Sequence, residues 1–190
     1  MDKKILRDKT KRYLEDLQEE ERQNVEFVQL EKVLSSKEWA EAETIAITVS
    51  KFPEWSTKYY VEKAWKEGKK VAIPKVSPSL KDMDFYLVRS YDQLIPGYSG
   101  IMEPDTSTCS IIHKIDIDLL FVPGLLFNYQ GYRIGFGGGF YDRYLAGFHG
   151  TTVSITSEAQ LKRKLPLEEH DIPVQVIITE NRIIRVHEEE

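Results

Sequence analysis

Ile117-Asp118-Leu119-Leu120-Phe121-Val122-Pro123-Gly124, followed by Arg133-Ile134-Gly135-Phe136-Gly137-Gly138-Gly139-Phe140-Tyr141-Asp142-Arg143-Tyr144-Leu145, sets the reading of this chain. The first stretch is a short apolar run broken by Pro and Gly, as a buried strand ending in a loop would be. The second holds four of the eleven glycines within five positions. Tyr141 to Leu145 can begin a helix, so the expectation is a central strand at 117–122 that delivers a glycine loop into a helix N-terminus. Free backbone N–H groups and the positive dipole end favour an anion there. Glycine permits φ > 0 and close approach to a phosphate. Arg133 suits bidentate pairing with phosphate oxygens. Asp142 is a hard oxygen ligand of the kind Mg²⁺ takes. Phe140 and Tyr141 offer faces to a flat heterocycle. The run matches neither Gly-x-Gly-x-x-Gly nor Gly-x-x-x-x-Gly-Lys-Ser/Thr, so neither the dinucleotide fold nor the P-loop is supported. A glycine-rich turn without a ligand is the alternative that composition leaves open.

Outward from the loop, the pattern alternates strand and helix. Residues 2–18 read as a helix with Leu6, Tyr13, Leu14 and Leu17 on one face, and Lys3, Arg7 and Lys11 on a neighbouring stripe. Residues 20–35 read as a second helix with Val25, Phe27, Val28, Val33 and Leu34 toward the core. Thr44–Ser50 is a β-branched strand, 51–57 a Pro-containing turn, and Ser56 or Thr57 a candidate N-cap for a helix that runs to Glu67 and stops at Gly68. Lys70–Pro74 is the next strand, and a strand–helix–strand unit of this length favours parallel pairing. Further strands are expected at 83–88, 152–155 and 174–179, with an edge strand at 182–186 and a frayed acidic tail. Together these predict an α/β layered domain with a mostly parallel sheet.

Bulk properties bound the function. The 190 residues suit one domain, taken here as 1–190, with room for a substantial core. A net charge of −5 with no basic stripe beyond the N-terminal segment argues against nucleic acid. One cysteine, Cys109, excludes an intramolecular disulfide and a Cys-rich zinc site. No apolar run is long enough to span a bilayer, and the N-terminus is charged from Asp2 onward, so the expectation is a cytoplasmic protein. His113, His149, His170 and His187 share no metal-ligand spacing and read as surface or loop histidines.

The string Pro123-Gly124-Leu125-Leu126-Phe127, then Gly131-Tyr132-Arg133-Ile134-Gly135-Phe136-Gly137-Gly138-Gly139-Phe140-Tyr141-Asp142-Arg143, closely resembles the signature of the 5-formyltetrahydrofolate cyclo-ligase family. Lys3-Lys4-Ile5-Leu6-Arg7 resembles the family's Lys-x-x-Leu-Arg-like start. Glu54 and Thr57 resemble its Glu-x-x-Thr turn, and Gly100-Ile101-Met102-Glu103-Pro104 its Gly-Ile-x-Glu-Pro string. Gln160, Leu165-Pro166 and Glu169-His170-Asp171 are similar to its closing pattern. The resemblance implies ATP-dependent cyclisation of 5-formyltetrahydrofolate to 5,10-methenyltetrahydrofolate, with ATP and Mg²⁺ as cofactors. It implies a three-layer α/β/α scaffold like that of sugar-phosphate isomerases and CoA transferases, small-molecule partners only, and a monomer. Implied ATP contacts are Lys3, Lys4, Arg7, Arg133, Ile134, Gly135, Phe136, Gly137, Gly138, Gly139, Phe140 and Tyr141. Implied folate contacts are Lys51, Glu54, Ser56, Phe136, Gly137, Gly138, Gly139 and Phe140. Ser56 departs from the pattern, because a second acidic residue is common there. Arg133 and Asp142 are the implied catalytic residues, and Asp142 with Asp171 the implied metal ligands. A non-catalytic folate- or nucleotide-binding relative is the competing reading. A sugar-phosphate isomerase is a third, weakened because no carboxylate base can be pointed to.

Overall fold

The structure, a computed structural model, describes residues 2–186. Helix α1 (Lys3–Asp16) starts where the Asp2 side chain accepts from the Lys4 amide. Helix α2 (Glu19–Leu34) carries Glu19, Glu20 and Glu21 in its first turn and Lys32 in its last, the arrangement its dipole favours. Helix α3 (Lys37–Glu41) follows, capped by the Ser36 hydroxyl. Then come strand β1 (Thr44–Ala46), helix α4 (Lys58–Lys66), and strands β2 (Lys70–Ser77) and β3 (Asp82–Val88). Short strands β4 (Leu94–Pro96), β5 (Met102–Pro104) and β6 (Ser110–Ile112) precede β7 (Leu119–Phe121). After it come β8 (Leu126–Asn128), β9 (Arg133–Ile134), helix α5 (Phe140–Leu145), β10 (Thr151–Ile155), β11 (Leu161–Lys162), β12 (Val176–Ile178) and β13 (Ile183–Arg185).

The main sheet has eight strands in the order β13-β12-β10-β7-β1-β2-β3-β6. The five strands β12, β10, β7, β1 and β2 run parallel, and β13, β3 and β6 add antiparallel edges. The α4 crossover joins β1 to its parallel neighbour β2, as the strand–helix–strand pattern predicts.

Side chains alternate cleanly between two cores. Ile45, Val71, Leu119, Phe121, Val176 and Ile178 face α2, α3 and α4, meeting Val33, Trp39, Val61 and Ala64. Ala46, Ala72, Leu120 and Ile177 face the other way, toward Tyr144 and Leu145 of α5, with Phe127 of β8 and Leu161 of β11. Both faces of the parallel strands are therefore buried, which is why β7 and β12 read as unbroken apolar runs. A third cluster, Leu14, Trp55 and Leu125, fastens α1 over the sheet's end.

Several expectations need correcting. The central strand β7 does not lead straight into the glycine loop, because the β8–β9 hairpin intervenes and joins β11 in a separate three-stranded sheet. The strand expected over 44–50 pairs only over Thr44–Ala46, and the one over 174–179 only over Val176–Ile178. Phe27 and Tyr13 face solvent at 61% and 38% exposure, because Val33 and Leu14 take the inward positions. Thr57 holds the N-cap position of α4 without capping it: its hydroxyl donates to Thr48 O and accepts from the Ser50 amide. His187 and the acidic tail beyond it lie outside the described residues.

Candidate functional site

The sheet's strand order reverses between β1 and β7, since β1 leads to β2 on one side and the chain later returns to β7 on the other. A crevice beyond the carboxyl ends of strands at such a point is the usual ligand position in open α/β sheets. A pocket lies there, lined by Ile47, Thr48 and Ser50 after β1, by Val122, Pro123 and Gly124 after β7, and by Glu54, Trp55, Leu14 and Gln160 around the rim. Gln160 is fully buried; its Oε1 accepts from Trp55 Nε1 at 2.7 Å, and its Nε2 donates to Leu125 O at 2.8 Å. These bonds fix one wall.

The turn carrying Glu54 is clamped from behind. Arg22 of α2 donates to Pro53 O at 3.2 Å and lies 5.2 Å from the Phe52 and Trp55 ring centres. Glu54 Oε2 accepts the Lys51 amide at 3.1 Å. Burial pushes the Glu54 carboxyl above its ordinary value, against the pull of that amide and of Lys11. Lys51 reaches across to Ser99 O at 2.9 Å. The Ser56 amide donates to Glu26 Oε1 at 2.9 Å, so a carboxylate from α2 stands beside the position where the local sequence lacks one. Glu103 of the Gly-Ile-x-Glu-Pro string is buried and faces Lys75 at 3.5 Å, a structural role.

The glycine loop faces α1. Arg7 Nε donates to Gly135 O at 2.8 Å, and a Cβ placed on Gly137 would meet the Arg7 guanidinium carbon at 3.5 Å. Gly137 has φ +106° and Gly139 +67°, and Gly139 precedes α5, a helix of only six residues. Phe136 stands exposed at the loop's tip. Phe140 packs edge-on against Tyr98 at 6.1 Å, and Arg143, above the Phe140 ring, donates to Gly138 O at 2.7 Å. The Tyr141 hydroxyl is buried without a well-aligned hydrogen-bond partner among the described residues. Burial and the neighbouring Glu54 raise its pKa.

The two aspartates meet the same turn. Asp142 Oδ1 accepts from Arg133 Nη2 at 3.0 Å and from the Ile172 amide at 3.1 Å. Asp142 Oδ2 takes no hydrogen bond from the described residues. Asp171 Oδ2 accepts from Lys3 Nζ at 3.0 Å and from the Glu168 amide at 2.8 Å. Burial alone would raise the Asp171 carboxyl; the Glu168 amide and Lys3 outweigh it and hold it below its ordinary value. Asp142 Oδ2 and Asp171 Oδ1 are hard oxygen atoms of the kind Mg²⁺ takes, and Asp171 Oδ1 lies 4.0 Å from His170 Nε2.

Arg133, expected to meet phosphate, is held here by protein groups. Its side chain is 4% exposed, with Nη1 donating to Ile172 O at 2.7 Å and Nη2 engaged by Asp142. Its position makes it the clamp that orients Asp142. Three neighbours of these residues were not among the site candidates read from the sequence. Glu168 pairs with Lys3 at 2.6 Å, and Glu168, His170 and Asp171 bring ligand atoms within 4.8 Å of one another, with His170 an exposed loop histidine as expected. Lys11 stands 5.6 Å from the centre of the Phe136 ring. Its spacing from Arg7 was the available signal.

The Escherichia coli (strain K12) 5-formyltetrahydrofolate cyclo-ligase is 33% identical over 146 residues, covering 75% of this chain and 80% of that protein. The Mus musculus 5-formyltetrahydrofolate cyclo-ligase is 27% identical, covering 94% of each. The solution structure of Aquifex aeolicus 5,10-methenyltetrahydrofolate synthetase superposes with a TM-score of 0.88 at 32% identity, covering 100% of this chain and 95% of that one. The profile of the 5-formyltetrahydrofolate cyclo-ligase family matches residues 1–180, and this chain belongs to that family.

Proposed function

We propose that this chain, acting as a single cytoplasmic domain and a monomer, converts 5-formyltetrahydrofolate to 5,10-methenyltetrahydrofolate with ATP, releasing ADP and phosphate. The observation that carries the reading is the adjacency of two sites. A strand-end pocket rimmed by Glu54 lies beside a glycine loop held against the basic face of α1 through Arg7.

The chemical problem is an amide-like oxygen that leaves poorly and an N10 that attacks weakly. Transfer of the γ-phosphoryl to the formyl oxygen turns that oxygen into a leaving group. N10, tethered in the same molecule, then closes the ring at high effective molarity and loses its proton as phosphate departs. The chain's work is to position, neutralise charge and exclude water.

In this proposal the amides of Gly135, Gly137, Gly138 and Gly139, with Ile134, Phe136, Phe140 and Tyr141 around them, cradle the triphosphate, and Lys3, Lys4 and Arg7 meet its charge. Arg133 holds Asp142 in place. Asp142 and Asp171 would hold Mg²⁺, which when bound neutralises phosphate oxygens. Lys3 then exchanges its carboxylate partners for phosphate. Glu54, Lys51 and Ser56 would face the pterin, with Phe136 and Phe140 flanking it.

The test follows methenyl absorbance in the near ultraviolet with 5-formyltetrahydrofolate, with and without ATP and Mg²⁺. Product should form only with both present. Asp142→Ala should lower the rate by about a thousandfold or more while keeping the helical circular dichroism of the parent. An Asp142→Ala protein that turned over normally would remove the metal assignment. Folate binding with no phosphate release by the parent would leave only a binding protein.

A further inference from the structure

Among the described residues, most cations around this site are engaged within the protein; the exposed Lys4 is not, and Arg7 is held through Nε alone. Lys3 pairs with Glu168 and Asp171, and Arg7 donates to Gly135 O. Lys51 donates to Ser99 O, Arg133 is bound by Asp142 and Ile172 O, and Arg143 donates to Gly138 O and Lys81 O. Lys11 is different. It is half-buried, yet its ammonium makes no hydrogen bond or ion pair with any described residue. Its contact is with the face of Phe136, at 5.6 Å from the ring centre. Its charge also draws the Glu54 carboxyl toward ionisation, which places it near the folate side of the site. Leu14, one turn further along the same face of α1, lines the pocket. The ammonium therefore sits on the seam between the tip of the glycine loop and the pocket mouth.

Resting on the cyclo-ligase reading, we infer that Lys11 is a catalytic residue whose ammonium contacts the phosphoryl group as it passes from nucleotide to formyl oxygen. In that step the bond from the γ-phosphorus to the bridging oxygen breaks, and ADP leaves with the electron pair. The formyl oxygen bonds to phosphorus, and the positive charge that develops is shared between the formyl carbon and N5. No proton is gained or lost by Lys11. Negative charge spreads over the three equatorial phosphoryl oxygens in such a transfer, and a partly desolvated cation without a protein partner is suited to meet it. The nucleotide's resting charge is already served by Arg7, Lys3 and the loop amides. The folate's own carboxylates lie at the far end of that molecule from its formyl group. Lys11 is thereby left for the group in transit.

The experiment compares the full-length parent with Lys11→Met and Lys11→Arg. Methenyl formation gives kcat, and calorimetry gives separate affinities for a non-hydrolysable ATP analogue and for 5-formyltetrahydrofolate. Methionine and lysine have similar helix propensity, so α1 should persist, and thermal melts check it. Lys11→Met should lower kcat by about 100- to 1000-fold while both affinities stay within about threefold of the parent. Lys11→Arg should restore at least about tenfold of that loss, because it returns the charge. A Lys11→Met protein with parental kcat, or one whose loss lies wholly in either affinity, overturns the inference. Failure of the parent to form any methenyl product would instead overturn the cyclo-ligase reading itself, so the two failures are distinguishable.

Discussion

The two ends of the parallel sheet carry similar side chains and treat them in opposite ways. At the amino-terminal end of the strands a groove is lined by Glu38, Asp118, Gln175 and Arg185, among others. There the polar groups are matched to one another. Arg185 grips Glu38 with two bonds, at 2.8 and 3.1 Å. Asp118 Oδ2 accepts the amides of Glu43 and Thr44, and Gln175 and Thr152 exchange bonds across adjacent strands. At the carboxyl-terminal end, Asp142 Oδ2 and the Lys11 ammonium stand without such partners among the described residues, and the buried Tyr141 hydroxyl has only the poorly aligned Thr48 side chain beside it. Pairing of one protein group with another predominates at the end that holds the fold together, although Asp118 Oδ1 and Gln175 Nε2 take no part in it. Incomplete pairing marks the end that awaits ligands, where a group left open is worth more in function than in stability.

The sharpest way to break this contrast is to damage the saturated end. Glu38→Ala leaves Arg185 facing a mostly buried space that its carboxylate had filled; the Glu38 side chain is only 6% exposed. We expect a loss of roughly 1–3 kcal/mol in denaturant unfolding, less than a fully buried pair because Arg185 is partly solvated. Once folded, the variant should turn over at the parental rate. A large fall in kcat with unchanged stability would mean that the two ends are not separable.

Glycine substitutions sharpen the same contrast at a smaller scale. Gly137 sits at φ +106°, beyond the left-handed basin that other residues tolerate, and Gly147, after α5, sits at +74° with open space around it. Gly137→Ala should cost roughly 1–3 kcal/mol and Gly147→Ala about 1 kcal/mol. Only Gly137→Ala should weaken binding of an ATP analogue, because only that backbone faces Arg7. Equal effects of both variants on nucleotide affinity would count against the loop as the phosphate cradle.

Local stretches announced themselves in the sequence. The β1–α4–β2 unit was legible because its apolar periodicity switches from strand to helix and back within one short segment, and Gly68 ends the helix at φ +76°. The glycine loop was legible as well, through its composition. What stayed hidden was non-local. Lys3 and Asp171 bond across 168 positions, which no periodicity encodes. The bonds of Arg133 to Ile172 O and Asp142 are equally absent from the local pattern. The β8–β9 hairpin was missed because strands of three and two residues are too short to show alternation. The Glu26 carboxylate beside Ser56 comes from another helix, so the missing acid was invisible to a reading of the turn alone.

The smallest expected effect is a difference in sign with pH. Glu54 at the open end has its carboxyl raised above 4.5 by burial, so the folded state holds that proton more tightly than the unfolded chain. Its contribution to stability is therefore fully present at low pH and is lost as pH rises from 4.5 through the folded value. Glu38 at the saturated end is the reverse. Burial would raise it, but Arg185 prevails and holds it below 4.5, so its contribution is present above that value and is lost as pH falls. Glu54→Gln should accordingly melt close to the parent at pH 4 and above it at pH 7, whereas Glu38→Gln should fall furthest below the parent at pH 7. Thermal melts across that range check both. If the two variants shifted in the same direction at neutral pH, the division into a ligand-awaiting end and a self-satisfied end would lose its electrostatic basis, because both carboxylates would then be serving the fold.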